Sequence, residues 1–144
     1  MAHIEDRGSE FDGSIDVVWK FIQSPEDHGS SHRNRRNVRG EPDGPDAMKT
    51  SWEQNVGGSW VKVENRVRLF PPVAMLVEAL EGPLAGSKFI FYYTPKGKKT
   101  GVDAVGDFHS KMIPAGQLEP AVLAAFEEAY QDDNAGIRKM AGRT

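Results

Sequence analysis

Residues 61–69 alternate apolar side chains with charged or polar ones at a period of two. One side carries Val61, Val63, Asn65, Val67 and Leu69, and the other carries Lys62, Glu64, Arg66 and Arg68. This alternation predicts a β-strand with one face in the core and the other in water. A strand of this kind must pair with neighbours, so the chain is expected to form an antiparallel sheet.

Turn-forming residues divide the flanking sequence into further strands. Among the turns are PDGPD, Gly57-Gly58, Pro71-Pro72, residues 82–86 and PKGKK. The strands expected between them span residues 3–11, 37–41, 48–56, 73–80, 87–94 and 100–110. Short apolar runs punctuated by Gly, Pro and Asp are typical of an antiparallel meander.

Helical patterns lie near both ends of the chain. Ser14 can cap the segment IDVVWKFIQ, and Ser24 can cap a second short helix that has Pro25 in its first turn. After Leu118 the sequence predicts one long helix, with apolar residues stepping by four from Leu118 to Tyr130. Gly136 is expected to kink or weaken it, because glycine costs about 1 kcal/mol inside a helix.

Composition restricts the function classes. A chain of 144 residues suits a single domain, 1–144, and the absence of cysteine excludes thiolate chemistry, disulfides and cysteine-bound metals. The net charge of −3 gives no basic footprint, so no nucleic acid is expected as a partner. The N-terminus lacks a signal-peptide core and no apolar run could insert into a membrane, so a cytoplasmic protein is expected.

Several segments resemble a known superfamily. FDGSIDVVWKFIQSPEDH resembles an opening strand and tryptophan-bearing first helix, and GGSWVKVENRVRLFPP and TGVDAVGDFHS resemble later strands. Together with the terminal helix, they resemble the helix-grip fold of the START-related (SRPBCC) superfamily, which includes pollen allergens, lipid-transfer domains and polyketide cyclase/dehydrase-like proteins. The resemblance implies an α+β fold, in which a curved antiparallel sheet of about seven strands wraps around the C-terminal helix. It also implies a cavity between them for sterols, lipids, hormones or polyketides.

Strand alternation then predicts which side chains face that cavity. The expected ligand-binding residues are Trp52, Gln54, Val63, Asn65, Val67, Phe89, Phe91, Tyr93, Phe108, Phe126 and Tyr130, and Val61 and Ala104 are also placed inward. The alternative is that the aromatic residues simply fill the core. Asn65, Gln54 and Tyr93 could orient a polar end of a ligand, whereas the alternative for Asn65 is a hydrogen bond within the protein at a bulge.

Two histidines and a run of arginines precede the sheet. His28 and His32 are four residues apart and could form a metal pair with Glu26 or Asp27, but the intervening Gly-Ser-Ser disfavours a helix and no third ligand has a predictable spacing. No metal and no cofactor is therefore expected. His32 and Arg33 are placed at the cavity mouth, and the arginines of residues 33–39 either bind an anionic head or are simply solvated.

Asp103, Asp107 and His109 share one side of the last strand, and the predicted register points them outward. If they faced the cavity instead, they could form an acid-base set.

Three functions remain open. The first is binding or transport of a hydrophobic or amphipathic small molecule in the cavity. The second is a cyclase, aromatase or dehydratase that acts there, with Tyr93, His32 or His109 moving protons. The third is a protein-interaction module, and a homodimer is possible in each case.

Overall fold

The chain forms seven strands and three helices within residues 2–143, the part that this computed structural model describes. In chain order they are β1 (Ala2–Phe11), α1 (Ile15–Ile22), α2 (Pro25–Ser31), β2 (Arg35–Pro42), β3 (Ala47–Val56), β4 (Ser59–Phe70), β5 (Ala74–Glu81), β6 (Lys88–Lys96), β7 (Lys99–Phe108) and α3 (Ala115–Ala141).

All seven strands belong to one antiparallel sheet with the order β1-β7-β6-β5-β4-β3-β2. Strands β2 to β7 form a continuous meander, and β1 pairs with β7. The helices α1 and α2 therefore carry the chain from one edge of the sheet to the other. The sheet is curved, and the long C-terminal helix α3 comes after it in the chain. This confirms the α+β helix-grip arrangement expected from the sequence.

The two short helices begin where the sequence predicts. The Ser14 side chain accepts a hydrogen bond from the Val17 N–H, and the Ser24 side chain accepts one from the Asp27 N–H. Each serine satisfies an N–H group that has no partner within its helix. The Gly-Ser-Ser segment, which the sequence pattern disfavoured as helix, is nevertheless helical: α2 continues through Gly29 to Ser31 and places His28 in its last turn.

Helix α3 is longer than predicted. It begins at Ala115, three residues before the predicted start at Leu118, and Pro120 lies inside it. Gly136 does not break it, because the helix continues to Ala141. The glycine serves packing: a Cβ at this position would lie 2.4 Å from Cε1 of the buried Phe21 ring.

Two hydrophobic clusters fill the space between helices and sheet. The larger joins α1 to β1, β4, β5, β6 and the C-terminal end of α3, and it includes Trp19, Phe21 and Ile137. The smaller joins Ile4 and Phe108 to Leu118 and Val122 near the other end of α3. Close backbone contacts of α3 are made with β1, α1 and α2, so its middle part lies away from the central strands. None of the helices formed by residues 2–143 has the length and apolar character needed to cross a bilayer.

Candidate functional site

A cavity of about 1070 Å³ lies between the inner face of the sheet, helix α2 and the middle of α3. Its walls come from strands β2 to β6 and from residues 121–133 of α3. Most of the cavity-lining side chains are apolar, and the helix contributes the small residues Ala121, Ala125 and Ala129. The cavity is therefore the space that the sheet encloses and the helix only partly fills.

The structure brings together nine of the residues predicted to lie around the cavity. These are Trp52, Gln54, Val63, Asn65, Val67, Phe89, Phe91, Phe126 and His32. Further apolar wall is supplied by Met48, Leu69, Met75, Val77 and Ala79, which occupy the same inward positions on neighbouring strands.

A cluster of phenylalanines forms one end of the wall. The ring centroid of Phe126 lies 5.7 Å from that of Phe89, 5.7 Å from that of Phe91 and 5.6 Å from that of Phe108. Phe89 also stacks on Phe108 at 5.1 Å. Offset and edge-to-face contacts of this kind fix the rings relative to each other, so this end of the cavity has a rigid boundary.

Three predicted ligand-binding residues lie elsewhere, which corrects their assignment. Phe108 is 0 % exposed behind Phe89 and Phe126. Tyr93 packs edge-on against Trp19 in the larger core cluster, with ring centroids 5.4 Å apart. Tyr130 stacks on Phe11 at 5.4 Å, and its hydroxyl donates to the Glu10 carbonyl at 2.6 Å. All three point inward as predicted, but other side chains separate them from the cavity.

Two residues placed on the inner face are likewise outside the wall: Val61 is half-buried and does not line the cavity, and Ala104 is buried on β7 opposite Phe91. Tyr93 lies in the core cluster, out of contact with the cavity. Burial, assisted by the charge of Asp133, raises the pKa of its phenol. The phenol therefore stays protonated at neutral pH.

Arg35 occupies the cavity wall next to Trp52. Its guanidinium carbon lies 4.2 Å from the centroid of the Trp52 ring, a cation–π contact. The Trp52 indole N–H donates to Gln54 Oε1 at 3.1 Å, so the three side chains form one group. Burial lowers the pKa of the Arg35 guanidinium, and the nearby carboxylates of α3 act in the opposite direction. No carboxylate of residues 2–143 lies within salt-bridge distance of Arg35.

Asn65 is the polar interruption in the apolar row of β4. The pairing of β4 with β5 shifts between Glu64 and Asn65, so the predicted bulge is present. The amide of Asn65 nevertheless makes no side-chain hydrogen bond within residues 2–143, and Asn65 lines the cavity. The alternative interpretation of Asn65, a side-chain hydrogen bond within the protein at the bulge, therefore does not hold for residues 2–143.

His28 and His32 meet a third residue, Asp133, that the sequence reading did not connect with them. Nε2 of His32 lies 2.9 Å from Asp133 Oδ1, and Nε2 of His28 lies 3.4 Å from the same oxygen. The acids first considered as partners are placed differently, because Asp27 accepts hydrogen bonds from Ser24 and Arg143. All three residues of the cluster line the cavity.

Burial and the two imidazoles act in opposite directions on Asp133. Burial alone would raise the pKa of this carboxyl, but the positive charge of the adjacent His28 and His32 imidazoles outweighs it and lowers the pKa well below its usual range. Asp133 is therefore an anion at neutral pH, held at the edge of an apolar cavity.

Arg33 is not in the cavity wall, although it was placed at its mouth. Its side chain is largely exposed, and Nε donates to Asp132 Oδ1 at 2.9 Å. Arg36, which borders the cavity, pairs with Glu53 at 3.0 Å and lies over the Trp60 ring. The arginine run is thus divided among separate partners and does not form one continuous basic patch.

The acidic residues of β7 point away from the cavity, as the register predicted. Asp103 accepts a hydrogen bond from the Gly8 N–H at 2.8 Å, and Asp107 is exposed 3.3 Å from His3. His109 packs against Gly86, and its backbone N–H donates to Ser87 Oγ. None of these three side chains lines the cavity.

Sequence reasoning missed Asp133, and it considered Arg35 only as one member of the arginine run of residues 33–39. A signal for Asp133 was available, because it lies seven residues after Phe126 and so on the same side of the helix. No comparable signal distinguished Arg35 from its neighbours, since Arg33 and Arg36 carry the same charge.

No protein-family model matches the chain, and no curated protein matches it. Solved structures with similar folds include a START superfamily protein from Mycobacterium smegmatis, with a TM-score of 0.78 and 10% identity, covering 96% of this chain and 98% of that chain. The Zhui aromatase/cyclase from Streptomyces sp. R1128 has a TM-score of 0.75 and 14% identity, covering 99% of this chain and 94% of that chain. Ara h 8.0201 has a TM-score of 0.71 and 10% identity, covering 96% and 98%, respectively. At these identities the comparisons establish the helix-grip fold alone.

Proposed function

We propose that this chain binds an amphipathic small molecule, with an apolar body and an anionic end, in the cavity between the sheet and α3. The observation that carries the proposal is the cavity of about 1070 Å³ with a largely apolar wall. Sites for drug-sized ligands typically measure about 300–1,000 Å³ and are lined mainly by apolar and aromatic side chains. Similarity in fold to a START superfamily protein and to an aromatase/cyclase supports a small molecule as the occupant.

The phenylalanine end of the cavity suits the apolar body. Phe89, Phe91 and Phe126 present ring faces and edges there, and Val63 and Val77 continue the surface. Each methylene group transferred from water to such a wall contributes about 0.8 kcal/mol. A chain or ring system of ten or so carbons would therefore be held mainly by burial.

The opposite end suits an anion. Arg35 is held against Trp52, within salt-bridge reach of no carboxylate of residues 2–143, and Gln54 lies beside it. A partly desolvated guanidinium gains more from a carboxylate or phosphate than an exposed one does. The unpaired amide of Asn65 supplies a further polar contact along the wall.

A second candidate is an enzyme of the cyclase, aromatase or dehydratase kind that acts in the same cavity. His32 favours it, because this buried imidazole lines the cavity beside an ionised carboxylate. An imidazole paired with a carboxylate can move protons near neutral pH. Recovery of a bound compound in cyclised or dehydrated form would favour this candidate, and recovery unchanged would favour a carrier.

The binding proposal is tested with an anionic naphthalene dye whose fluorescence rises in apolar sites, and with laurate and dodecanol as competitors. We expect saturable binding of one dye per chain and displacement by laurate. Because a charge-assisted hydrogen bond contributes about 1.5–3 kcal/mol, laurate should bind roughly 10- to 100-fold more tightly than dodecanol. The Arg35→Met variant should remove that difference, whereas Arg68→Met, at an exposed position of β4 that does not line the cavity, should keep it.

Two alanines of α3 give the matched control for the place of binding. Ala129 lines the cavity, and Ala124 is exposed and does not. Ala129→Phe should weaken dye binding by at least about 10-fold because the added ring occupies the cavity. Ala124→Phe should leave it unchanged. Absence of saturable binding, or equal binding by both variants, would contradict the proposal.

A further inference from the structure

His28, His32 and Asp133 form a cluster that the binding of an amphipathic molecule does not require. The potential ligand atoms of these residues all lie within 4.8 Å of one another. We propose that this cluster is a binding site for a divalent first-row transition-metal ion such as Zn²⁺, with an open coordination position toward the cavity. This inference goes beyond the proposed ligand binding and does not depend on it.

The separation of the ligand atoms fits a metal ion. A tetrahedral zinc ion with bonds of about 2.0–2.2 Å separates two of its ligand atoms by roughly 3.3–3.6 Å. Asp133 Oδ1 lies 2.9 Å from Nε2 of His32 and 3.4 Å from Nε2 of His28. Side-chain rotations that move these atoms by a few tenths of an ångström to about one ångström would bring them to those separations.

The fold places the three ligands from two directions. His28 lies in the last turn of α2, and His32 is the residue that caps its end. The spacing of four residues puts both imidazoles on the same side, with ring centroids 5.5 Å apart. Asp133 approaches from α3, which packs against α2. The site therefore lies between α2 and α3, and the packing of these helices on each other fixes the positions of the three ligands.

His32 has a buried nitrogen that the protein does not satisfy. Its side chain is only 5% exposed, and Nε2 has no hydrogen bond of acceptable geometry within residues 2–143. The short distance to Asp133 Oδ1 therefore reflects proximity without an aligned N–H. A buried polar atom without a partner costs about 1–3 kcal/mol, and a bound cation would offset that cost through the nitrogen lone pair.

The other nitrogen of His32 faces an orienting group. Nδ1 lies 3.7 Å from Oδ2 of Asp132, which is 5% exposed and held at 2.9 Å by Arg33 Nε. Histidines that bind metals usually direct their second N–H toward a carboxylate or carbonyl, which leaves the first nitrogen free to coordinate. Asp132 is therefore assigned as a positioning residue. This role explains why Asp132 is buried although its ion-pair partner Arg33 is exposed.

An internal ion pair is the competing explanation. A network of protonated histidines around Asp133 would place one N–H in line with a carboxylate oxygen, as charge-assisted hydrogen bonds do. The structure shows instead two Nε2 atoms converging on one oxygen, one of them without such alignment. Arg35 is the nearby cation that opposes metal binding, but its guanidinium is held over Trp52.

The donor set indicates the class of metal. Two imidazoles with one carboxylate suit Zn²⁺ or Fe²⁺, whereas Mg²⁺ and Ca²⁺ prefer oxygen ligands. Because all three residues line the cavity, the remaining coordination position is accessible from it. An oxygen atom of a cavity ligand could complete the coordination there.

The test uses the full chain without an affinity tag and without added ligand. Co²⁺ is titrated while its visible d–d absorption is followed, Zn²⁺ is titrated by calorimetry, and Mg²⁺ serves as the metal of the wrong class. We expect one Co²⁺ or Zn²⁺ per chain and no response to Mg²⁺. Since loss of an orienting partner alone costs about 10- to 100-fold in affinity, loss of a ligand in His28→Gln or Asp133→Asn should cost at least about 100-fold.

His3 provides the matched control, because it is an exposed histidine beside the acids Glu5 and Asp107. His3→Gln should leave the affinity unchanged, and Asp132→Asn should lower it by about 10- to 100-fold. An unchanged circular dichroism spectrum and thermal unfolding transition show that a variant is folded. For the unaltered protein, imidazole nitrogen NMR should show Nε2 of His28 and His32 shifting with one equivalent of Zn²⁺. No Co²⁺ absorption, binding unaffected by Asp133→Asn, or loss of binding in His3→Gln would each overturn the proposal.

Discussion

The C-terminal end of α3 and its middle use small residues for opposite reasons. At the end, Gly136 is small because the Phe21 ring occupies the space where its Cβ would lie. In the middle, Ala125 and Ala129 are small and the space beside them is the cavity. The C-terminal end of α3 is therefore closely packed and stabilises the fold. The middle of the same helix is loosely packed and can receive a ligand.

Polar groups follow the same division. Asn134 in the packed region is 2% exposed, accepts from the Asp12 N–H at 2.8 Å and donates to the Asp12 carboxylate at 3.1 Å. Asn65 in the cavity wall has no such partner within residues 2–143. A protein can tolerate an unpaired amide where water or a ligand reaches it, but hardly in a packed core.

The largest expected effect contrasts two phenylalanines of adjoining strands. Phe108→Ala removes a fully buried ring and should lower the free energy of unfolding by about 3–5 kcal/mol. Phe91→Ala removes a half-buried ring that already borders the cavity, and should cost only about 1–2 kcal/mol. Urea unfolding followed by circular dichroism measures both. Equal losses would mean that the wall is as closely packed as the core.

Two glycines of α3 give a sharper comparison. Gly136→Ala should lower the free energy of unfolding by about 1–3 kcal/mol despite the better helix propensity of alanine, because the buried Phe21 ring has to move. Gly116→Ala adds a methyl group with nothing within 4 Å and should raise it by up to about 1 kcal/mol. Thermal unfolding of both variants decides the matter, and a stabilised Gly136→Ala protein would refute the packing explanation.

The sequence predicted the faces of the strands correctly because a period of two is set by backbone geometry alone. Residues 61–69 show this, since Val63, Asn65 and Val67 reach the cavity as the alternation indicates. The order of elements followed from caps and turns, which are also local.

The sequence pattern could not predict which inward side chains border the cavity, or which residues far apart in the chain contact each other. Phe108 and Tyr93 share the inward face with Phe89 and Phe91, but whether a side chain borders the cavity depends on what packs in front of it. The meeting of His32 with Asp133 joins residues 101 positions apart through the packing of α2 on α3. No local pattern encodes such a contact, although the place of Asp133 on the Phe126 side of α3 was visible.

The smallest expected effects come from the two asparagines. Asn134→Leu should lower the free energy of unfolding by about 1–2 kcal/mol, because the Asp12 N–H loses its acceptor. Asn65→Leu should change it by no more than about 0.5 kcal/mol, since no hydrogen bond is lost and apolar surface is added to the wall. Chemical unfolding measures the pair under identical conditions. If Asn65→Leu lowers the free energy of unfolding more than Asn134→Leu does, the Asn65 amide has a structural role. The cavity wall would then contribute to stability as the packed core does.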